Sequence, residues 1–116
     1  MKKFCFDLDG VICFTKNNDY KRSKPKKDVI KLINQLYEKN FILIYTARFM
    51  GRSNENAKLA NIKGYKITLN QLKKWGLKFD KLMTGKPSYD VIIDDKSFGF
   101  KKKWLKEFRS RFKKDF

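Results

Sequence analysis

Phe4-Cys5-Phe6-Asp7-Leu8-Asp9-Gly10 decides the reading of this chain. An apolar run ending in charge is the pattern of a buried strand whose carboxyl end reaches solvent. Gly10 allows a sharp backbone exit just after it. Working outward, Phe41-Ile42-Leu43-Ile44-Tyr45 is a second continuous apolar run, with the character of a strand covered on both faces. Lys81 to Thr84 reads as a third, weaker strand. Val91-Ile92-Ile93 reads as a fourth that runs into Asp94-Asp95.

The intervening segments supply turns and helices. Val11 to Phe14 is apolar and Lys16 to Lys24 is polar, with Asn17-Asn18-Asp19 at its middle. This predicts a β-hairpin flap over Val11 to Arg22 that turns near Asn18. Pro25 marks a helix entry, Asp28 a cap, and Asn40 an end. Between them Val29, Ile30, Leu32, Ile33, Leu36 and Tyr37 recur at helical spacing. Ser53 to Asn61 predicts a short helix. Thr68-x-x-Gln71 reads as a capping box opening another helix, through Leu69, Leu72 and Trp75 to Gly76. Lys101 to Phe116 predicts a basic amphipathic C-terminal helix, with Trp104, Leu105, Phe108 and Phe112 on one face. The alternating order is that of the α/β class: one domain over residues 1–116, with a mostly parallel sheet flanked by helices.

Composition narrows the chemistry. The chain has 116 residues and 41% hydrophobic content, enough for one modest core. Its 29 basic and 12 acidic residues give a formal charge of +17. Such an excess favours phosphorylated metabolites, nucleic acid or an anionic membrane surface, although lysine is also a common solubilising residue. There is no histidine. That excludes Ser-His-Asp hydrolases, histidine phosphatases and His-ligated zinc enzymes. Neither Cys5 nor Cys13 has an arginine six positions later, so a cysteine-based phosphatase is excluded too. Both cysteines sit in apolar runs and read as buried thiols. The amino-terminal stretch lacks the apolar core of a secretory signal, and no window approaches the roughly 20 apolar residues of a membrane span. The expected location is cytoplasmic.

The polar residues fall at strand ends. Asp7 and Asp9 follow the first strand, Thr46 and Arg48 the second, Lys86 the third, and Asp94 and Asp95 the fourth. In an open α/β sheet, ligands bind beyond the carboxyl ends of the strands. Clustered carboxylates without histidine suit Mg²⁺, a hard ion that prefers oxygen ligands. An ionised aspartate can attack phosphorus and form an aspartyl-phosphate. Asp9 is a candidate proton carrier for the leaving oxygen and for water. Lys86 and Thr46 are candidates to stabilise the transferring phosphoryl group.

Taken together, these motifs resemble those of the haloacid dehalogenase (HAD) superfamily. Phe6-Asp7-Leu8-Asp9-Gly10-Val11-Ile12 resembles its first motif and Thr46 its second. Lys86 in Gly85-Lys86-Pro87 resembles the third, and Ile93-Asp94-Asp95 the fourth. The resemblance runs from Phe4 to Lys96. It implies a Rossmann-like sheet with a flap after the first strand, and a Mg²⁺-dependent phosphatase. Within it, Asp7 is the nucleophile and a metal ligand, and Asp9 is the general acid/base with its carbonyl on the metal. Thr46 and Lys86 hold the phosphoryl group. Asp95 aligns with the direct metal ligand and Asp94 with one acting through water. Neither intermotif segment leaves room for a cap domain, so the chain resembles capless members, which act on large substrates or borrow a neighbouring subunit in a homo-oligomer. Thr46-Ala47-Arg48, Leu72-Lys73-Lys74-Trp75-Gly76 and Gly85-Lys86-Pro87 further resemble small phosphatases of bacterial surface-polysaccharide synthesis. That implies a sugar phosphate as substrate, with Ala47 and Arg48 among its contacts. Two alternatives stand beside this one. The charge and basic tail favour a nucleotide or nucleic-acid end phosphatase, and a HAD-like fold can also serve as a non-catalytic nucleic-acid or membrane binding module.

Overall fold

The computed structural model describes residues 1–116. In chain order the elements are β1 (Lys3–Phe6), β2 (Cys13–Phe14), β3 (Lys24–Pro25), α1 (Lys27–Tyr37), β4 (Phe41–Tyr45), α2 (Ala57–Lys74), β5 (Lys81–Met83) and α3 (Trp104–Arg111). Single 3-10 turns lie at Tyr20–Arg22, Gly51–Ser53 and Lys113–Asp115. The sheet is parallel and three-stranded, in the order β1-β4-β5. Phe6 pairs with Ile44, and Tyr45 with Met83. All three strands therefore end along one edge, and the residues after them leave the sheet side by side.

The core follows from strand alternation and helix period. Phe4 and Phe6 of β1, Ile42 and Ile44 of β4, and Leu82 of β5 are buried with Leu8. Val29, Ile30, Leu32, Ile33 and Leu36 of α1 pack into the same cluster. Full burial of such side chains contributes about 1.5–3 kcal/mol each. The other face of β4 is half-buried at Phe41, Leu43 and Tyr45, so the sheet is covered unequally on its two sides. α3 completes the core through Trp104 and Phe108. Phe108 meets Phe4, Phe6, Phe98, Trp104, Phe112 and Phe116 with ring centroids 4.6–6.3 Å apart. The apolar face of the tail is thus used internally, and its basic residues remain at the surface.

Several details differ from the sequence reading. The flap is a hairpin, but its second arm is Lys24–Pro25, paired with Phe14 and Cys13. Asn17 and Asn18 take left-handed φ values of 52° and 55° at its tip. α1 begins after Lys26 with no side-chain cap; Asp28 lies inside the first turn and accepts the Val29 N–H at 2.9 Å. Asn40 closes the helix with its side chain, donating to the Leu36 and Asp115 carbonyls at 2.9 and 2.7 Å.

The expected short helix and capping box merge into one helix, α2. Asn56 caps it by accepting the Leu59 N–H at 3.0 Å, and Gly76 ends it at φ +73°. Thr68 therefore lies mid-helix, where its hydroxyl is buried without a partner.

The expected fourth strand is absent. Val91, Ile92 and Ile93 form no ladder and are exposed, Ile93 at 96%. A β-branched run becomes a strand only where a neighbouring strand meets its N–H and C=O groups. Here Ser88 is tied to Glu55 by its N–H (2.9 Å) and hydroxyl (3.1 Å). This anchors the chain leaving β5 to the loop before α2.

Phe108→Ala should cost about 3–5 kcal/mol of stability, the range for emptying a large aromatic site in a core. Urea denaturation of the full chain measures it. A cost below about 1 kcal/mol would make α3 a peripheral arm instead.

Candidate active site

The exits of β1, β4 and β5 build the site. Asp7 is the first residue after β1, and its side chain stays 40% exposed. Its Oδ1 accepts the Leu8 N–H at 2.9 Å and faces Lys86 Nζ at 3.5 Å. Lys86 arrives after β5, and its own N–H donates to the Thr46 carbonyl at 3.2 Å. Gly85 turns the chain there at φ +84°. A Cβ on it would stand 2.8 Å from the Ala57 Cβ, so the close approach to α2 requires glycine. Asn61 Nδ2 donates to Thr84 Oγ1 at 2.7 Å, and the Glu55–Ser88 contacts hold the far side of the same loop.

Thr46 follows β4 and is buried, its hydroxyl oxygen accepting the Arg48 N–H at 3.1 Å. The Arg48 guanidinium turns back onto Asp9. Nε donates to Asp9 Oδ1 and Oδ2 at 3.2 and 2.9 Å, and Nη2 to Oδ1 at 2.9 Å. Thr15 of the flap donates to Asp9 Oδ1 at 2.6 Å. Asp7, Asp9, Thr15, Tyr20, Arg48 and Ser88 border a cavity of about 290 Å³, which Ala47 also lines. A larger cavity of about 350 Å³ lies on the outer face of the flap among Phe14, Lys16, Arg22 and Lys24. It holds none of the strand-end acids, so the smaller one is the catalytic candidate.

The electrostatics are under tension. Burial pushes the Asp7 carboxyl above its ordinary value of 3.8, although the Lys86 charge and the Leu8 N–H pull the other way. Burial alone would lower the Lys86 amine, but interaction with the Tyr89 side chain and the Asp7 charge outweighs it, leaving the amine raised. Lys86 therefore keeps its positive charge beside Asp7.

Not every expected residue arrives. Asp7, Asp9, Thr46, Ala47, Arg48 and Lys86 share the sheet edge. Asp94 and Asp95 do not: both are exposed beyond the unpaired Val91–Ile93 run, and Asp94 Oδ1 accepts the Lys96 N–H at 2.8 Å. No cluster of three or more potential acidic, histidine or cysteine ligands exists. The strand expected to deliver Asp94 and Asp95 does not form, and neither residue lines the cavity.

What remains offers oxygen atoms of the kind a hard divalent ion takes. Mg²⁺ is commonly held by one or two carboxylates, with water and substrate phosphate completing its shell. Asp7 Oδ2 and the Asp9 carbonyl accept no hydrogen bond within the chain, whereas the Asp9 carboxylate is committed to Arg48 and Thr15. Asp7 and the Asp9 carbonyl are therefore the ligands the chain offers.

Sequence reasoning missed Thr15, Ser23, Glu55, Gln71 and Ser88. Gln71 Oε1 accepts from Arg48 Nη1 and its Nε2 donates to the Tyr20 carbonyl, both at 2.7 Å. The only sequence signal at Gln71 was its spacing from Thr68, and that spacing pointed to a cap.

No family model matches the chain, and no curated protein matches it. A crystal structure of an MCSG target from Vibrio cholerae is similar to it, with 28% sequence identity, a TM-score of 0.80 and full coverage of both chains.

Removing the Lys86 charge should raise the Asp7 titration further, since that charge lowers it. Carboxyl-carbon NMR of the metal-free protein should give an Asp7 midpoint above 3.8, and a higher one in Lys86→Met. An unchanged midpoint in Lys86→Met would mean the two groups do not meet in solution.

Proposed function

We propose that this chain hydrolyses phosphomonoesters, with Asp7 as nucleophile and Mg²⁺ as cofactor. The observation that carries the reading is the Asp7–Lys86 pair at the ends of parallel strands, 3.5 Å apart beside an open cavity. An Asp7 carboxylate oxygen attacks phosphorus, and the bond from phosphorus to the alcohol oxygen breaks. The alcohol leaves with a proton, and an aspartyl-phosphate remains. Water then attacks that phosphorus, releasing inorganic phosphate and restoring the Asp7 carboxylate.

Each residue contributes from its observed position. Lys86 lies beside Asp7, where its charge stabilises phosphoryl oxygens in the transition state. Thr46 anchors the turn that carries Arg48, and its hydroxyl proton is free to donate toward the phosphoryl group. Asp9, aimed by Thr15 and Arg48, is the group that relays the proton between leaving oxygen and water. Asp7 and the Asp9 carbonyl would hold Mg²⁺, which offsets the repulsion between carboxylate and phosphate.

The resemblance to small capless HAD phosphatases supports the same reading and points to a sugar phosphate. The cavity of about 290 Å³ matches a small substrate, at the lower end of ligand-pocket volumes. A second reading, a nucleic-acid end phosphatase, is favoured by one feature. Lys16, Arg22 and Lys24 line the outer face of the flap with exposed Phe14, a basic and aromatic surface of the sort that tracks single strands. Turnover of sugar phosphates and of 3′- or 5′-phosphorylated oligonucleotides, compared under one set of conditions, separates the two.

Purified protein should release phosphate from p-nitrophenyl phosphate with Mg²⁺ and stop when the metal is chelated. Asp7→Asn should lower kcat at least about 10³-fold with the fold intact, and Lys86→Ala about 10²–10³-fold. Wild-type-like turnover by Asp7→Asn would remove Asp7 as nucleophile.

A further inference from the structure

Arg48 is the one charged residue among the buried side chains, with 1% of its side chain exposed. An isolated buried cation is costly, so its partners reveal what it is for. Its N–H groups are nearly all committed. Nε and one Nη2 proton go to Asp9, and Nη2 also reaches Ser23 Oγ at 3.3 Å. Nη1 donates to Gln71 Oε1. The guanidinium lies 4.8 Å from the centroid of the Tyr20 ring, so its flat face is covered as well. At most one proton is left for a ligand.

These partners come from three separate segments around the cavity. Asp9 belongs to the exit of β1, Ser23 and Tyr20 to the flap, and Gln71 to α2. The contacts are mutually reinforcing. Gln71 Nε2 also holds the Tyr20 carbonyl, and the Ser23 and Thr15 hydroxyls touch at 2.5 Å while Thr15 donates to Asp9. A second arginine closes the rim. Arg52 donates to the Asn18 carbonyl at 2.6 Å and stands 5.1 Å from the Tyr20 ring centroid, and Tyr20 meets Phe49 at 5.0 Å.

We infer that Arg48 is a positioning residue: it fixes the Asp9 carboxylate and clamps the flap to α2 over the cavity, and it does not grip the substrate. The inference deepens the phosphatase reading and rests on it for its catalytic consequence. Its mechanical part stands on the contacts alone. Without the guanidinium, Asp9 loses three of the hydrogen bonds that aim it. The flap then loses the Arg48 contacts to the Ser23 hydroxyl and the Tyr20 ring, while Gln71 still holds the Tyr20 carbonyl.

The test has two arms on the full chain. In the first, hydrogen exchange followed by mass spectrometry compares wild type with Arg48→Met, which keeps much of the buried volume. Flap amides over residues 15–24 should exchange about tenfold faster, while β1, β4 and α3 keep their protection. Unchanged flap exchange would overturn the clamp, and equal acceleration everywhere would reduce Arg48 to a structural core residue. If Arg48→Met does not fold, Gln71→Leu, which cuts the link from Arg48 to the Tyr20 carbonyl, should show the same local acceleration; no acceleration overturns the clamp.

In the second arm, Arg48→Met and Arg48→Ala should lower kcat for p-nitrophenyl phosphate about 10²-fold, with KM changed less than about threefold. Added guanidinium should restore part of the kcat of Arg48→Ala, and urea at equal concentration should not. A rise in KM at constant kcat would make Arg48 a substrate contact and refute the assignment. A wild type with no phosphatase activity would sink the proposed function, while the exchange arm would still decide the clamp.

Discussion

A guanidinium inside a 116-residue domain is the constraint around which the site is arranged. So small a chain has little core to spare, and a desolvated cation lowers stability unless its hydrogen bonds are met. Arg48 meets them with an acid from the exit of β1, an amide from α2 and a hydroxyl from the flap. Each partner is thereby tied to the turn after β4. The parallel sheet brings three strand ends together, and the buried arginine fixes what stands beyond them.

The Asp7–Lys86 pair is built differently. It is partly open to solvent and longer, at 3.5 Å, and no buried network surrounds it. Lys86 is placed by main-chain contacts: its N–H on Thr46, Gly85 against Ala57, and Ser88 on Glu55. Asp7 gains only one backbone hydrogen bond against the burial that raises its carboxyl. One aspartate is bound on both carboxylate oxygens by an arginine, and the other is left reachable beside a lysine amine. Two carboxylates two residues apart thus sit in different surroundings.

The sequence was most legible where periodicity and burial coincide. The runs at Phe4 and Phe41 became β1 and β4 because each finds a parallel partner and a covering helix. The helix ending at Asn40 and the hairpin after the first acids both formed, with boundaries shifted by a few residues and without the expected entry at Pro25 or cap at Asp28. Val91-Ile92-Ile93 has the same local signal as those strands, yet lies exposed. Strand pairing is a non-local event that composition does not report. Thr68-x-x-Gln71 misled in the opposite direction. Its spacing fits a cap, but the helix had already begun at Ala57, and Gln71 is spent on Arg48 and Tyr20. Site residues at strand ends could be anticipated. Thr15, Ser23 and Gln71 could not, since only folding shows that they face one buried charge.

The proposed covalent chemistry at one aspartate is tested most directly by trapping the covalent state. Protein turning over p-nitrophenyl phosphate with Mg²⁺ would be quenched with borohydride, which reduces an acyl phosphate to the alcohol and so converts the modified aspartate to homoserine. Peptide mapping should find homoserine at position 7 and nowhere else, dependent on both substrate and metal. Steady turnover with Asp7 unmodified, or homoserine at another position, would contradict the account.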